Sequence, residues 1–405
     1  MNERLIVNNF GPVKKLDIRF KKVTLFIGDQ GTGKSCVAKL FSMFKWLEKD
    51  LLMKRHTVSY YLKDDKFTTV LCPYHRIESF IKDNTEIRYE GELFTFGYSN
   101  RTLQIEDNHS ENVHLSKVIY VPAERSILSV AENRQRLIKE LPDSCATFSE
   151  ELNNAKDAYR AGYDLPFGNL HYKYSSLNNV SYIWGDEYAD DPVLLRNASS
   201  GIQSALPLCL VSDYLSEKVR LQEDVKLSPK EQKKFDEEVA EIMNNDNYSK
   251  SVRESRLKLL SAKTSYGSFI NVVEEPELNL FPQSQMDVIC RLAADNATSA
   301  RNMMVLTTHS PYMLAIINTL ILAGKTCDLG DEEISKSVEK VLPHKCHVSS
   351  SDVAAYRLSI GNEPYCRSII DQHTSMIGTN DLDSASDIIM RKFNTIYRLY
   401  GKAKK

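Results

Sequence analysis

Four short motifs in this chain carry residues that could bind and hydrolyse a nucleotide. They are GDQGTGKS at 28–35, NASSGIQS at 197–204, NVVEEPELNLFP at 271–282 and VLTTHSP at 305–311. A glycine-rich loop, paired carboxylates and a histidine are groups that phosphoryl transfer to water can use. In this order they predict an ATP site that is completed only when two copies of the chain meet face to face.

The first motif predicts a phosphate-binding loop. Its three glycines allow the backbone to fold around a phosphate with the amides pointing inward. Lys34 would reach the β- and γ-phosphates, and the Ser35 hydroxyl would hold Mg²⁺. The alternative is a glycine-rich turn that carries Lys-Ser by chance, but a predicted strand at 23–27 and a predicted helix from 37 to 52 flank the loop. The predicted ATP-binding residues are Gly28, Asp29, Gln30, Gly31, Thr32, Gly33, Lys34, Ser35 and Cys36.

A pair of glutamates closes the apolar segment 269–273, which we predict to be a strand. Glu274 would bind Mg²⁺ through water, and Glu275 would orient and deprotonate the attacking water. The alternative is a strand that meets solvent at an acidic turn, and the spacing to the next predicted strand, at 303–307, favours the functional interpretation. For Glu277 and Pro282, the alternative that they only shape the connection stays open.

His309 follows the predicted strand 303–307 and precedes a helix that Ser310 and Pro311 open. There it could donate to the γ-phosphate or hold the catalytic water. A lone histidine is more often packed or solvated, so this assignment depends on the other motifs.

The serines of NASSG open a predicted helix at 202–215, and their hydroxyls and free amides would make an anion site. The alternative is a simple helix cap. If this helix belongs to a separate lobe, it would reach the phosphates of a partner subunit instead of its own. The residues predicted to act in trans are Ser199, Ser200, Gly201 and Gln203.

Composition excludes several other classes of protein. The 405 residues have a net charge of −2, so no global basic character demands nucleic acid. Eight scattered cysteines without a CxxC motif predict reduced thiols, and His344, Cys346 and His347 lack the second ligand pair that a zinc site needs. The N-terminus lacks the apolar region of a signal peptide, and the apolar stretch 312–323 is too short for a bilayer. We expect a cytoplasmic protein without a membrane partner.

Further elements follow from local patterns of apolar, glycine and charged residues. We predict strands at 5–8, 16–20 and 118–121, a small antiparallel sheet within 86–106, a hairpin at 170–184 around Asn178-Asn179, and one exposed helix within 228–260.

The four motifs in this order resemble the ABC-type ATPase heads of the RecF, SMC and OLD group. The usual LSSGE or LSGGQ signature is here Ala198-Ser199-Ser200-Gly201-Ile202, and Glu274 stands where many relatives have Asp. The segments EEPELNLFP and TTHSPYML are most similar to those of the stand-alone AAA15/OLD-like ATPases of bacterial antiphage systems such as PARIS, Septu and retron systems. The VPAERS segment at 121–126 recurs in this group, which makes Glu124 and Arg125 candidates for a nucleotide-sensing hinge; the alternative is a charged helix start.

The resemblance implies an α/β P-loop NTPase of the ABC type, with a mixed central sheet, an antiparallel β subdomain and a helical lobe. We expect one domain over 1–405, with its nucleotide-binding core at 1–125 and 265–405 and the lobe at 126–264. The implied cofactors are ATP and Mg²⁺, and the implied assembly is a homodimer or higher homo-oligomer.

Because the chain carries no TOPRIM-like acidic array or HNH pattern, the resemblance implies control of a separate effector nuclease encoded nearby. DNA or a phage-derived trigger is a further candidate partner. The alternative is a RecF-like DNA repair ATPase that clamps DNA directly. A third interpretation, the motor of a membrane transporter, is disfavoured by the sequences of the EEPE and TTHSP motifs.

Overall fold

The computed structural model of the protein describes residues 3–131, 140–185, 188–222, 225, 227–245, 248, 250–261, 264–361, 364–378 and 390–397. Its strands are β1 Arg4–Phe10, β2 Val13–Arg19, β3 Val23–Gly28, β4 Glu86–Glu90, β5 Phe94–Ser99, β6 Thr102–Asp107, β7 Leu115–Val121, β8 Tyr163–Asp164, β9 His171–Ser175, β10 Val180–Gly185, β11 Ala189–Leu194, β12 Tyr266–Glu274, β13 Met303–Thr308, β14 Val353–Leu358 and β15 Cys366–Ser368.

Its α-helices are α1 Lys34–Leu52, α2 Val58–Tyr61, α3 Ile127–Val130, α4 Asp143–Ala158, α5 Ser200–Arg220, α6 Pro229–Asn244, α7 Lys250–Ser261, α8 Pro282–Ala297, α9 Pro311–Asp328 and α10 Glu332–Val341. Single turns of 3-10 or π-helix lie at Phe67–Leu71, Pro73–His75, Glu78–Phe80, Ala123–Ser126, Leu195–Asn197, His344–Cys346 and Ser350–Asp352.

The core sheet has the strand order β15-β14-β3-β13-β12-β7. All neighbouring pairs are parallel except β14 with β15. Parallel strands present their carboxyl ends at one edge of a sheet, where α/β folds bind their ligands. The segments that follow β3, β12 and β13 therefore meet at that edge, and these segments carry the phosphate loop, the acidic pair and His309.

An antiparallel sheet of order β2-β1-β4-β5-β6 packs over α1 and confirms the predicted β subdomain. The predicted strands at 5–8 and 16–20 lie within β1 and β2. The ring of Phe44 on α1 stacks on Tyr89 of β4, with centroids 5.1 Å apart. Beside this stack, the buried Lys45 ammonium lies 2.8 Å from the Glu3 carboxylate and 2.6 Å from that of Glu48. A buried ion triad of this kind fixes α1, and with it the start of the helix at the phosphate loop, against the antiparallel sheet.

The part of the chain at 126–264 differs from a purely helical lobe, because it contains a four-stranded antiparallel sheet of order β11-β10-β9-β8. The predicted hairpin is confirmed as β9 and β10, and its turn residue Asn179 has a φ of 53°. The prediction of one helix at 228–260 is wrong, since two helices, α6 and α7, occupy this range. A capping box between Ser228 and Glu231 starts the first of them.

Helix α5 joins the lobe to the core. Its buried side chains, including Leu206 and Leu210, belong to the same apolar cluster as Val273 of β12 and Val288 of α8. Any movement of the NASSG motif must therefore be transmitted through a helix packed on the strand that carries the acidic pair. Within the described residues, no helix combines the length and the hydropathy that crossing a membrane would require.

Candidate functional site

The glycine-rich loop between β3 and α1 has the backbone of an anion cradle. Gly31 and Gly33 have φ angles of 75° and 93°, in the left-handed region that favours glycine. Gly33 is the N-cap of α1, so the loop runs directly into the positive end of a helix dipole. The predicted strand–loop–helix context is therefore confirmed. Cys36 lies in the first turn of α1, and its side chain is buried in the apolar core.

In this structure the Lys34 side chain folds back over the loop. Its Nζ donates to the carbonyl oxygens of Gly28, at 2.8 Å, and Asp29, at 2.9 Å. Burial lowers the pKa of Lys34 to about 8, although the nearby Glu275 and Asp29 carboxylates oppose this shift. The ammonium therefore sits where it can exchange two carbonyl oxygens for phosphate oxygens.

Glu275 and His309 lie together at the same edge of the sheet. Nε2 of His309 is 3.5 Å from a carboxylate oxygen of Glu275, and its Nδ1 is 3.5 Å from Nζ of Lys34. Glu275 has a φ of 44°, which is uncommon for a residue with a side chain, and its N–H donates to the Thr307 carbonyl at 2.9 Å. The side chains of Glu275 and His309 are about one-third exposed, at 32% and 29%. A partly exposed carboxylate and imidazole thus lie next to the buried Lys34 ammonium.

Glu274 differs from its neighbour because its side chain is buried. Its Oε1 accepts no hydrogen bond from any described residue. Burial and the Glu274 charge raise the pKa of the adjacent Tyr120 phenol well above its usual range. A carboxylate oxygen with unused acceptor capacity, together with the Ser35 hydroxyl at the start of α1, fits the oxygen donors that Mg²⁺ prefers.

Glu277, which the sequence left open, holds the segment that carries His309. One of its carboxylate oxygens accepts hydrogen bonds from Thr308 Oγ1 at 2.5 Å, from the His309 N–H at 3.0 Å and from the Ser310 N–H at 3.3 Å. This residue therefore shapes the connection in a specific way, by fixing the backbone at the end of β13.

Arg125 connects three parts of the molecule, although no part of its side chain reaches solvent. Its guanidinium donates to the carbonyl oxygens of Pro122 at 3.1 Å, Ser204 at 3.0 Å, Glu274 at 2.7 Å and Glu275 at 2.7 Å. Burial lowers its pKa to about 10. These contacts join the end of β7, the first turn of α5 and the backbone of the acidic pair. Glu124, the other hinge candidate, is exposed.

The NASSG motif begins α5 as expected. Ser199 is the N-cap residue, but its hydroxyl makes no capping hydrogen bond, and its N–H donates to the Tyr188 hydroxyl at 3.3 Å. Ser199 and Ser200 are both exposed. Gly201 packs so closely on the segment after the acidic pair that an added Cβ would lie 2.8 Å from the Asn279 carbonyl oxygen.

Gln203 differs from the expectation that its side chain faces a partner. Its Nε2 donates to the carbonyl oxygens of Leu195 at 3.3 Å, Arg196 at 2.9 Å and Ala198 at 3.0 Å. The amide nitrogen therefore closes the turn that precedes α5. It supports the motif from within the same subunit, which the sequence spacing did not indicate.

Solved structures similar to this chain include two SMC heads and a recombination mediator protein. An SMC head crystallised with the C-terminal winged-helix domain of ScpA has a TM-score of 0.39 and 9% identity, over 93% of this chain and 99% of that one. The SMC head domain of Thermotoga maritima has a TM-score of 0.33 and 10% identity, over 78% and 91%. The recombination mediator protein RecF-ATPrS of the RecFOR pathway has a TM-score of 0.29 and 13% identity, over 76% and 92%.

No curated protein matches the sequence of this chain. The model of the AAA_15 family, described as an AAA ATPase domain, matches residues 72–314, which is more than half of the chain. The match contains β7, the whole lobe, the acidic pair and His309, and it begins after the phosphate loop. The predicted α/β fold with a mixed central sheet is confirmed, and the family match shows an ATPase domain. The chain belongs to the AAA_15 family of ATPase domains.

Proposed function

We propose that the chain binds ATP with Mg²⁺ and hydrolyses it in a composite site formed by two copies. The observation that carries this proposal is the convergence of Lys34, Glu275 and His309 at one edge of the core sheet. The exposed Ser199 and Ser200 hydroxyls, at the start of a long helix, supply a second anion site that a partner's nucleotide could occupy.

In the proposed reaction, the Glu275 carboxylate accepts a proton from water as the water oxygen attacks the γ-phosphorus. The bond between that phosphorus and the β,γ-bridging oxygen breaks, and ADP leaves with the electron pair. Lys34 stabilises charge on the β- and γ-phosphate oxygens, and His309 donates a hydrogen bond to the γ-phosphate or holds the water. Ser35 and Glu274 would hold Mg²⁺, which would neutralise charge on the phosphates.

Arg125 offers a route by which the nucleotide state can affect the lobe. Because one guanidinium contacts both the carbonyl of Ser204 and those of Glu274 and Glu275, a shift of the acidic pair changes hydrogen bonds to α5. The NASSG motif at the start of α5 would then move relative to a partner subunit. This coupling is what a nucleotide-driven dimerising switch requires.

We assign this switch to bacterial antiphage defence, with the chain as sensor and scaffold for a separate effector nuclease. The support is the likeness of EEPELNLFP and TTHSPYML to ATPases of such systems. Co-expression with the neighbouring gene, followed by affinity purification, should recover a nuclease with the ATPase. Tight, ATP-dependent DNA binding without any partner would instead support a RecF-like clamp.

Completion in trans is tested by mixing two inactive variants. Ser200→Arg should block closure while leaving its own phosphate loop intact, and Lys34→Ala should abolish ATP binding or turnover while leaving its signature intact. In a heterodimer, one site pairs the intact loop of the first with the intact signature of the second. An equal mixture should then recover up to about a quarter of wild-type hydrolysis, because half of the dimers would have one competent site.

A matched control is Leu221→Arg, which adds the same charge at the exposed C-terminal end of α5. It should hydrolyse ATP like the wild type. If Ser200→Arg alone is as active as the wild type, NASSG is only a helix cap. If the mixture never recovers activity at any ratio, a site complete within one subunit becomes the better model.

A further inference from the structure

The segment that follows the family match contributes to the phosphate loop. The match ends at residue 314, whereas β14, at Val353–Leu358, pairs with β3 and places Leu358 opposite Gly28. An added Cβ on Gly28 would lie 2.2 Å from the Leu358 carbonyl oxygen. The backbone of β14 is therefore in close contact with the start of the loop.

The other end of the loop is contacted by Tyr365, which follows β14 in the chain. A hydrogen bond from the Ser359 N–H to the Tyr365 carbonyl, at 2.9 Å, holds Tyr365 beside the end of β14. The Tyr365 hydroxyl donates to the Thr32 carbonyl oxygen. It also lies 3.0 Å from the position of an added Cβ on Gly33.

The environment keeps Tyr365 protonated and fixed. Only 4% of the residue is exposed, and burial raises the pKa of its phenol above the ordinary range. The hydroxyl is therefore a neutral donor near neutral pH. Its acceptor, the Thr32 carbonyl, belongs to the same peptide unit as the Gly33 N–H.

We propose that Tyr365 is a positioning residue of the nucleotide site, and this inference rests on the proposed ATP binding. A hydrogen bond to the Thr32 oxygen fixes the plane of the Thr32–Gly33 peptide at the N-cap of α1. It also polarises that peptide, so the Gly33 N–H becomes a stronger donor. The phosphate loop is thus held at both ends by the C-terminal segment.

The arrangement implies reciprocal coupling between nucleotide and the segment 353–378. If Tyr365 favours the binding conformation of the loop, bound nucleotide must favour the docked position of Tyr365 by the same factor. The amides of β14 and β15 should therefore exchange with deuterium more slowly when ADP is bound.

Tyr365→Phe tests the proposal because it retains the ring and removes only the hydroxyl. The dissociation constant of ADP, measured by calorimetry with Mg²⁺, should increase about five- to tenfold, as expected for one lost hydrogen bond. ADP is the suitable probe because it needs neither hydrolysis nor dimer closure.

Tyr356→Phe is the matched control. Tyr356 lies on the same strand β14. Away from the loop, its hydroxyl donates to the Arg19 carbonyl at 2.8 Å and accepts from the Arg19 N–H at 3.1 Å. Tyr356→Phe removes both of these bonds and should lose at least as much thermal stability as Tyr365→Phe, but only Tyr365→Phe should lose ADP affinity. The nucleotide-dependent slowing of exchange in β14 should also be smaller in Tyr365→Phe alone.

Equal ADP affinity of Tyr365→Phe and the wild type would overturn the inference and leave the proposed ATPase intact. Equal losses of affinity in the two variants would also overturn it, since general destabilisation would then account for both. A wild-type protein that binds neither ADP nor ATP would overturn the proposed function and this inference together.

Discussion

Nucleotide binding should take up protons at alkaline pH, because Lys34 must be charged to meet the phosphates. Burial lowers the pKa of the free Lys34 ammonium to about 8. At that pKa the amine is about one-tenth neutral at pH 7 and about nine-tenths neutral at pH 9. The groups that face it on neighbouring segments are Asp29, Glu274, Glu275, Glu277 and His309.

The magnitude follows from linkage between protonation and binding. If phosphate binds only the charged amine, each site should take up about 0.9 proton at pH 9 and about 0.1 at pH 7. Affinity should fall about tenfold over the same range, which corresponds to about 1.4 kcal/mol. The terminal phosphate of the nucleotide, with a second pKa of about 6, contributes little above pH 8.

Calorimetry in two buffers with different ionisation enthalpies measures this uptake directly. The slope of the observed heat against the buffer ionisation enthalpy gives the number of protons per site at pH 7, 8 and 9. Lys22→Gln is the control, because burial also lowers the pKa of Lys22, but this residue precedes β3 at the end opposite the loop. Its removal should leave the uptake unchanged.

A binding heat at pH 9 that does not depend on the buffer would refute the reasoning. So would an affinity that is constant between pH 7 and pH 9. Either result would mean that the Lys34 amine is fully charged before binding or does not meet the phosphates.

Two further predictions concern catalysis and the connection between the lobe and the core. Glu275→Gln should retain ATP binding but slow hydrolysis by about 10²–10⁴-fold, because an amide cannot accept the proton of water. Size-exclusion chromatography with ATP should show a larger share of dimer for this variant. If the variant hydrolyses ATP at the normal rate, Glu274 or another group is the base. Arg125→Lys replaces a planar fork that contacts four carbonyls with one ammonium, so urea unfolding should show a loss of about 1–3 kcal/mol for each buried carbonyl left unpaired. Arg4→Lys is the control, because Arg4 forms a partly exposed ion pair with Asp17, and it should change the free energy of unfolding by less than about 1 kcal/mol. An equally small effect of Arg125→Lys would count against the proposal that Arg125 joins the lobe to the core.

The phosphate loop and the strand ends could be predicted because their signals are local. The spacing of glycines predicts the backbone geometry of a loop within a few residues. Charged residues directly after an apolar run indicate where a buried strand ends. The parallel sheet then brings Lys34, Glu275 and His309 together without further information.

The contacts of Arg125 and Tyr365 could not be predicted in this way. The carbonyl acceptors of Arg125 come from three segments that are far apart in the chain. Because every residue has a backbone carbonyl, the residue types at these positions do not identify them as acceptors. The Tyr365 hydroxyl likewise donates to the carbonyl of Thr32. This contact could be predicted only if the order of the strands in the sheet were already known.

The lobe was harder to predict for a different reason. Its strand β11 contains Pro192 and lies at a sheet edge, and its polar segments lack a clear alternation of apolar residues. The break between α6 and α7 did have a signal, the Asn and Asp residues at 244–247, since these side chains compete with helical hydrogen bonds.

The order of strands in the core sheet also affects how the protein is made. Val23 at the start of β3 pairs with Met304 on one side and Val353 on the other, so both neighbours of this strand are synthesised long after it. Until they emerge from the ribosome, an apolar strand whose residues are almost all buried in the finished fold has two open edges. Such distant pairing is slow and exposes the nascent chain to aggregation. A nascent chain should therefore acquire a formed phosphate loop among its last steps, and nucleotide binding would distinguish completed molecules from unfinished ones.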